Sequence, residues 1–320
     1  MDETSPDAKM NEALYAPVSG EAPAGEAVED YHFFDIQSAA EWPIDDFGRV
    51  DVVAPPDFTA LGKVARGFFL ASGNRPATRD VRALCGVLLS ETGTGGPAGL
   101  AAATDLLAHW LTGHWEALHP QDDGAGDFFD RIEALSAFLV LDDLLRTLDG
   151  AVLVPDMTLR DLLLGAGEVL PHPGEEIPDL GALSGLVAGD DAAKETLSRL
   201  RHALTRAGAH FSVIDAFISA LEGVDNTVEF GRLVSELEKR ARIVGDVASG
   251  SDASVKAGSK HGILALGDGG DAPSSPNVAM SAPDAIRTRG EALALMDRIV
   301  RYYAKNARSS PIPIALIALR

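Results

Sequence analysis

The chain has 320 residues, of which 46% are apolar and 23% are charged, close to the average for globular proteins. Its net charge of −21 argues against nucleic acid as a partner, because so acidic a chain repels phosphate backbones. The single cysteine, Cys85, cannot form an intrachain disulfide. Aromatic residues make up only 6%, while Leu and Ala are abundant, so an all-α fold is expected.

The first residues are acidic and lack the basic segment and apolar run of a secretory signal. No uninterrupted apolar run reaches the roughly eighteen residues of a membrane-spanning helix. A chain with one cysteine is also typical of a reducing compartment. We therefore expect a cytoplasmic protein that does not insert into the membrane.

Residues 1–57 are expected to form an acidic, partly disordered arm. Residues 1–60 contain fourteen Asp and Glu against Lys9 and Arg49 alone, and the first thirty are rich in Glu, Ala, Pro and Gly. Four aromatic residues in this arm are expected to dock on a neighbouring core: Phe33, Phe34, Trp42 and Phe47.

Residues 58–165 are predicted to form an antiparallel bundle of four helices with short connections. The first begins near Phe58, the second has Thr78 as its N-cap, and the third follows Pro97. The fourth runs from about Asp127 to Leu148. A short extended piece at 152–154 and a brief helix at 158–164 follow the bundle.

Residues 166–244 are predicted to form a second, smaller helical region, with helices at 190–207, 212–221 and 227–244. Ser212 and Asp215 resemble a capping box that would start the middle one. Residues 245–285 are rich in Gly, Ser, Ala and Asp and predict a flexible linker.

Residues 286–320 are predicted to form a basic, amphipathic C-terminal segment suited to oligomerisation. Residues 287–320 contain seven Arg and Lys against Glu291 and Asp297. Five apolar residues recur at helical spacing: Leu293, Met296, Ile299, Val300 and Tyr303. The opposite net charges of the two ends suit head-to-tail or partner docking. Charged helix faces that are simply exposed to solvent produce the same charge asymmetry.

Three histidines, His109, His114 and His119, suggest a metal site, but their spacing argues against one. Steps of five residues rotate successive imidazoles by about 140° on a helix, whereas helical metal ligands use steps of three or four. We favour ordinary surface or capping histidines and expect no metal and no cofactor.

Two further patterns are better explained by structure than by chemistry. Residues 93–99 are Gly-rich but follow a helix and contain Pro97, so we expect a helix–helix turn with close backbone packing at Gly99 rather than a phosphate loop. The acidic cluster beginning at Asp122 lacks the ligand order of a calcium loop, and Asp127 is expected to cap the next helix. Cys85 lies on an apolar helix face, where a thiol is protonated and inert.

Three blocks carry a resemblance to a known family. The first is the run from Leu61 to Leu89, in which residues 75–82 place Arg79 and Asp80 at the entry to a helix. The second runs from Gly96 through Trp115 to His119-Pro120, and the segment that begins at Arg131 continues it. The third contains Arg289, Glu291, Tyr303, Ser310, Pro311 and Pro313. In these blocks the chain resembles the ImpA/TssA family of bacterial type VI secretion.

The resemblance implies a non-enzymatic, homo-oligomeric component that contacts baseplate, tail tube, sheath and membrane-complex proteins and coordinates sheath and tube assembly. It also implies that the residues of the three blocks serve structure or protein interaction. Two alternatives stay open: a general adaptor that binds a peptide or helix in a groove, and a metal-dependent hydrolase that uses His109, His114 or His119.

Overall fold

A computed structural model describes residues 12–43, 54–122, 124, 126–172 and 175–250. The predicted linker and the basic C-terminal segment therefore lie outside the described residues, apart from 245–250. The described elements are, in chain order, α1 (Phe34–Ala40), α2 (Phe58–Arg66), α3 (Val81–Gly113), α4 (Phe129–Phe138), α5 (Leu141–Asp149), β1 (Val152–Val154), β2 (Met157–Thr158), α6 (Leu159–Gly165), α7 (Leu180–Ala188), α8 (Asp191–Ser219) and α9 (Phe230–Ala248). The prediction of an all-α fold is confirmed for the described part.

The long helix α3 is the centre of the fold, and α2, α4, α5 and α8 pack around it. Its apolar positions are so numerous that it is buried on several sides, as the central helix of a larger core must be. Helices α8 and α9 pair along their lengths, and side chains from Leu14 to Val247 join one continuous apolar core. The described residues include no helix long and apolar enough to span a bilayer.

The turn predicted at residues 93–99 is a sharp bend within α3. Gly96 has a φ of 55° and breaks the helical path, and Pro97 begins the second half. A Cβ on Gly99 would lie 1.9 Å from the backbone oxygen of Glu91, so only glycine allows this close approach. The expected close packing at Gly99 is confirmed.

Several predicted helix boundaries are wrong. Asp80, not Thr78, is the N-cap of α3, because Arg79 and Asp80 are held in extended conformation by backbone bonds to Ala24 and His119. The predicted fourth helix is two helices, α4 and α5, which are separated at Leu139 and Val140.

In the second region, the predicted break between residues 207 and 212 is absent, and α8 is continuous. Ser212 is no N-cap: its hydroxyl donates to the Gly208 carbonyl within the helix, while Asp215 accepts from Asn226. Helix α7 was not predicted. It begins with Asp179 as an N-cap that accepts from Gly181.

The amino-terminal arm contains more order than its composition indicates. Phe33 and Trp42 are buried as expected, but Phe34 is 60% exposed at the start of α1. Phe47 lies outside the described residues. The extended piece at 152–154 is confirmed as β1, which forms a small antiparallel hairpin with β2. Thr158 and Asp161 form a capping box at the start of α6.

Candidate functional site

The structure brings Arg79, Asp80, Trp115, His119 and Pro120 together where α3 begins and where the chain returns after α3 ends. Asp80 and His119 lie side by side through a parallel backbone bridge. The other six predicted residues, Arg289, Glu291, Tyr303, Ser310, Pro311 and Pro313, lie outside the described residues. We refer to the first group as the entry cluster.

Arg79 binds the amino-terminal segment through backbone carbonyls. Its guanidinium donates to Ala13 at 2.8 Å, to Ala16 at 2.8 and 3.2 Å, and to Phe69 at 3.0 Å. No carboxylate among the described residues pairs with it. These carbonyls belong to chain that does not continue as regular helix, so Arg79 satisfies acceptors that would otherwise be buried without a partner.

The surroundings of Arg79 are apolar. The side chain is 3% exposed, and its guanidinium carbon lies 5.1 Å from the Phe69 ring and 5.5 Å from the Trp110 ring. Burial lowers the pKa of Arg79 to about 10. The arginine therefore stays charged at neutral pH, and carbonyl dipoles and aromatic faces replace its lost hydration. Trp110 donates to the Leu14 carbonyl at 2.7 Å and fixes the same segment.

Asp80 acts on its own helix rather than on Arg79 or a neighbouring helix. Its carboxylate accepts from the Arg82 backbone and binds the Arg82 guanidinium at 2.9 and 2.8 Å. Arg82 also reaches Asp30 and lies 3.8 Å from the centre of the Phe33 ring. Asp80 thus caps α3 and links it through Arg82 to the amino-terminal arm.

His119 joins the arm to the loop after α3. Its backbone amide donates to Arg79, its carbonyl accepts from Val81, and its Nε2 lies 3.1 Å from the Gly25 carbonyl. The peptide between His119 and Pro120 is cis. The side chain is 4% exposed, so His119 is a structural contact rather than a surface ligand.

Sequence reasoning placed Arg131 at the start of a matching segment but did not predict its role as the central residue beside this cluster. It is 1% exposed and donates to the backbone carbonyls of Trp115, Leu118 and Pro120, the last at 2.9 Å. Its guanidinium lies between two rings, 4.6 Å from Trp115 and 4.9 Å from Phe128. Burial lowers its pKa to about 10.

A sequence signal for this role existed. Arg131 is three residues after Phe128 and four before Leu135, so it shares the apolar face of its helix. A charged residue on a buried face needs a partner, which the sequence does not name.

Of the three histidines considered as metal ligands, His109 and His114 lie close together, whereas His119 contacts a different segment. His109 and His114 have ring centroids 5.4 Å apart, contrary to the expectation that a five-residue step separates them, because α3 ends at Gly113 and His114 leaves the helical path. His119 is engaged with Gly25 instead. Within the described ranges, no group of three metal-ligand residues converges.

Cys85 is 1% exposed, and burial raises the pKa of its thiol to about 12. The thiolate is therefore scarce at neutral pH, in agreement with the inert thiol expected from the sequence. In the acidic loop, Asp122 accepts the backbone amides of Gly124, Gly126 and Phe128, which lowers its pKa. Phe128, not the predicted Asp127, is the N-cap of α4, although the Asp127 carboxylate accepts the amide of Phe129, the first residue of the helix.

Comparisons with known proteins show which proteins share this sequence and architecture. The family described as ImpA, N-terminal, type VI secretion system, matches residues 15–139. Type VI secretion system component TssA1 of Pseudomonas aeruginosa is 29% identical, over 95% of this chain and 88% of the relative. A solved TssA N-terminal domain from Burkholderia cenocepacia, which includes the conserved ImpA N-terminal region, covers 75% of this chain and 94% of its own. Its TM-score is 0.50 at 15% identity, so it supports the fold alone.

The matched residues 15–139 contain the arm from residue 15 onward, the bent helix α3 and all of α4, and they define an ImpA N-terminal domain. In these residues the chain matches the ImpA N-terminal family of type VI secretion, and over most of its length it is similar to TssA1.

Proposed function

We propose that the protein is a non-enzymatic assembly component of the type VI secretion system, which oligomerises and coordinates baseplate and tail tube and sheath assembly. The observation that carries the proposal is the extent of the likeness to TssA1, which spans 95% of the chain rather than one domain. In this proposal the protein acts in the bacterial cytoplasm, and its partners are baseplate, tube, sheath and membrane-complex proteins.

The interior of the described part supports a structural role. Its buried cationic side chains hold backbone segments or pair with a carboxylate, as Arg79, Arg131 and Arg240 do. Perturbed pKa values commonly mark catalytic clefts, but the lowered pKa values of Arg79 and Arg131 belong to side chains packed inside the fold. Such contacts stabilise a rigid module that can present surfaces to several partners.

Particle size tests the oligomeric part of the proposal. We expect light scattering of the full chain to give a particle several times heavier than one chain, and deletion of residues 286–320 to lower that mass. A strictly monomeric full chain at cellular concentration contradicts assembly and favours the adaptor alternative.

Complementation tests the biological part. In a bacterium that lacks its own family member, expression of this chain is expected to restore sheath assembly, followed with a fluorescent sheath protein. The matched control is the chain without residues 286–320. Normal abundance of the full chain with no restored sheath assembly contradicts the proposal for that system.

A further inference from the structure

A groove runs beside the entry cluster, between α1 and α4, and Pro120 of that cluster is part of its lining. Two depressions of about 450 and 350 Å3 share Phe34, Gln37, Ala137 and Phe138 in their lining and form one continuous channel. We call this channel the Phe34 groove. Helix α3 provides its floor through Arg82, Cys85 and Leu88.

The length of the Phe34 groove can hold a short stretch of α-helix. The floor residues Arg82, Cys85 and Leu88 lie on successive turns of one face of α3 and span about 9 Å. That length admits about one and a half turns of a docked helix, whose apolar residues at i, i+3 and i+4 would face the floor. Phe34, 60% exposed, and Val140, 43% exposed, leave apolar surface at the walls.

The rim of the groove is acidic and has spare negative charge. Glu41, Asp130 and Glu133 line it, are exposed, and have no ion-pair partner among the described residues. Arg82 is the cation in its lining, and that guanidinium is already bound to Asp80 and Asp30. The whole chain carries a net charge of −21, which strengthens attraction for a cationic partner.

From the shape and the charge together, we propose that the Phe34 groove binds a basic amphipathic α-helix of a partner protein. The apolar stripe of that helix packs on Phe34, Phe138 and the floor, while its Lys and Arg residues face Glu41, Asp130 and Glu133. The proposal goes beyond the assembly role, because it concerns the chemistry of one surface and is tested with peptides alone.

Fluorescence anisotropy of labelled model peptides against the full chain tests the groove. The first peptide is an amphipathic helix of Leu and Lys about 18 residues long; the second replaces every Lys by Glu; the third shuffles the first so that no apolar stripe remains. We expect tight binding of the first and at least about tenfold weaker binding of the other two. Equal binding of the Lys and Glu peptides overturns the proposal.

Matched variants locate the binding site. Phe34→Ala is expected to weaken the Leu/Lys peptide at least about tenfold, whereas Phe129→Ala, which removes an equally exposed ring outside the groove lining, leaves affinity within about twofold. Circular dichroism checks that both variants fold. Equal losses in the two variants overturn the assignment to the groove.

Charge variants test the rim. Glu41→Gln with Glu133→Gln is expected to reduce affinity about fivefold at low salt and less at high salt. Glu195→Gln with Glu222→Gln removes the same charge from exposed sites elsewhere and is expected to change little. If the control pair loses as much affinity, general attraction to an acidic protein explains binding. If the peptide fails to bind while Phe34→Ala lowers the particle mass in light scattering, a second copy occupies the groove and the proposal is wrong.

Discussion

Buried arginines stabilise the amino-terminal part and the contact between α5 and α9 through different acceptors. In the amino-terminal part, Arg79 and Arg131 bind backbone carbonyls and aromatic rings. Between α5 and α9, Arg240 binds the Asp149 carboxylate through two bonds of 2.7 and 2.8 Å, and it also reaches Glu236. Arg240 also donates to the Glu236 carbonyl at 3.1 Å, so the difference lies in the main acceptor. Loops and helix ends offer Arg79 and Arg131 carbonyls without helical partners, whereas most carbonyls of α5 and α9 bond within their own helices and a carboxylate is the main acceptor.

This comparison has an energetic consequence. A buried ion pair can be exchanged for apolar side chains of similar volume with little loss, since both charges disappear together. An arginine that satisfies carbonyls cannot be exchanged in this way, because the carbonyl oxygens stay behind without donors. The carbonyl-bound arginines are therefore expected to be the less replaceable ones.

The largest effect is expected at Arg131. Arg131→Leu leaves the carbonyls of Trp115, Leu118 and Pro120 without their donors and removes the cation between two rings, so the free energy of unfolding should fall by about 4 kcal/mol. Urea denaturation measures it. Arg199→Leu, at an exposed position, is the control and should cost under about 0.5 kcal/mol. A loss at Arg131 no larger than at Arg199 contradicts the importance of the carbonyl contacts.

The next effect is expected at Arg240. Arg240→Met leaves Asp149, 8% exposed, without its main partner and should cost about 3 kcal/mol. The double variant Arg240→Met with Asp149→Leu is expected to recover most of that loss, as measured by urea denaturation. No comparable second substitution should rescue Arg131→Leu. A double variant as unstable as Arg240→Met alone would remove the distinction between the two kinds of arginine.

The sequence predicts the helices better than it predicts what joins them. Apolar spacing located most of the described helices, because periodicity reports which face of a helix is buried. The Gly-rich run and the proline located the bend before Pro97. It placed the start of α3 at Thr78 rather than Asp80, because the deciding bonds join Arg79 to Ala24 and to His119, far away in the chain. Propensity carries no information about such distant partners.

The candidate site shows the same limit. The resemblance pointed to Arg79, Asp80, Trp115, His119 and Pro120, and the structure brings these five together. Their partners could not be predicted, because backbone carbonyls have no sequence signature. The wrong prediction of two helices at 190–207 and 212–221 has a related cause. Ser212 is a residue type that often caps helices, but its hydroxyl donates to a carbonyl inside one continuous helix.

A smaller effect is expected at Arg79, where the carbonyl acceptors belong to the amino-terminal arm. Arg79→Leu should cost about 2 kcal/mol, because Trp110 still binds Leu14 and part of the arm stays docked. Hydrogen exchange at residues 13–25 should accelerate far more than exchange in α8. Arg79→Lys is the control and should restore little, since one ammonium cannot reach the same spread of carbonyls. Uniform acceleration across the chain would show that Arg79 supports the whole core rather than the arm.

The smallest effect concerns an ion pair nearer the surface, Arg160 with Glu175, and it depends on pH. The Arg160 guanidinium binds both carboxylate oxygens at 2.7 Å and lowers the pKa of Glu175 from 4.5 to about 2. The carboxylate is thus favoured in the folded state, so the pair stabilises the protein fully above about pH 4.5 and loses its effect as the pH falls towards 2.

Glu175→Gln should therefore lower the free energy of unfolding by about 1 kcal/mol at pH 7, a value reduced for solvent screening, and by almost nothing near pH 2. Urea denaturation across this range measures the difference, with Glu195→Gln as the exposed control. Because both partners of this pair are charged side chains, it belongs with Arg240 rather than with Arg79 and Arg131. Replacing Arg160 by Met together with Glu175→Gln should then cost little more than Glu175→Gln alone. A larger loss would mean that the Arg160 bond to the Leu170 carbonyl is the stabilising contact, and Arg160 would join the carbonyl-bound arginines.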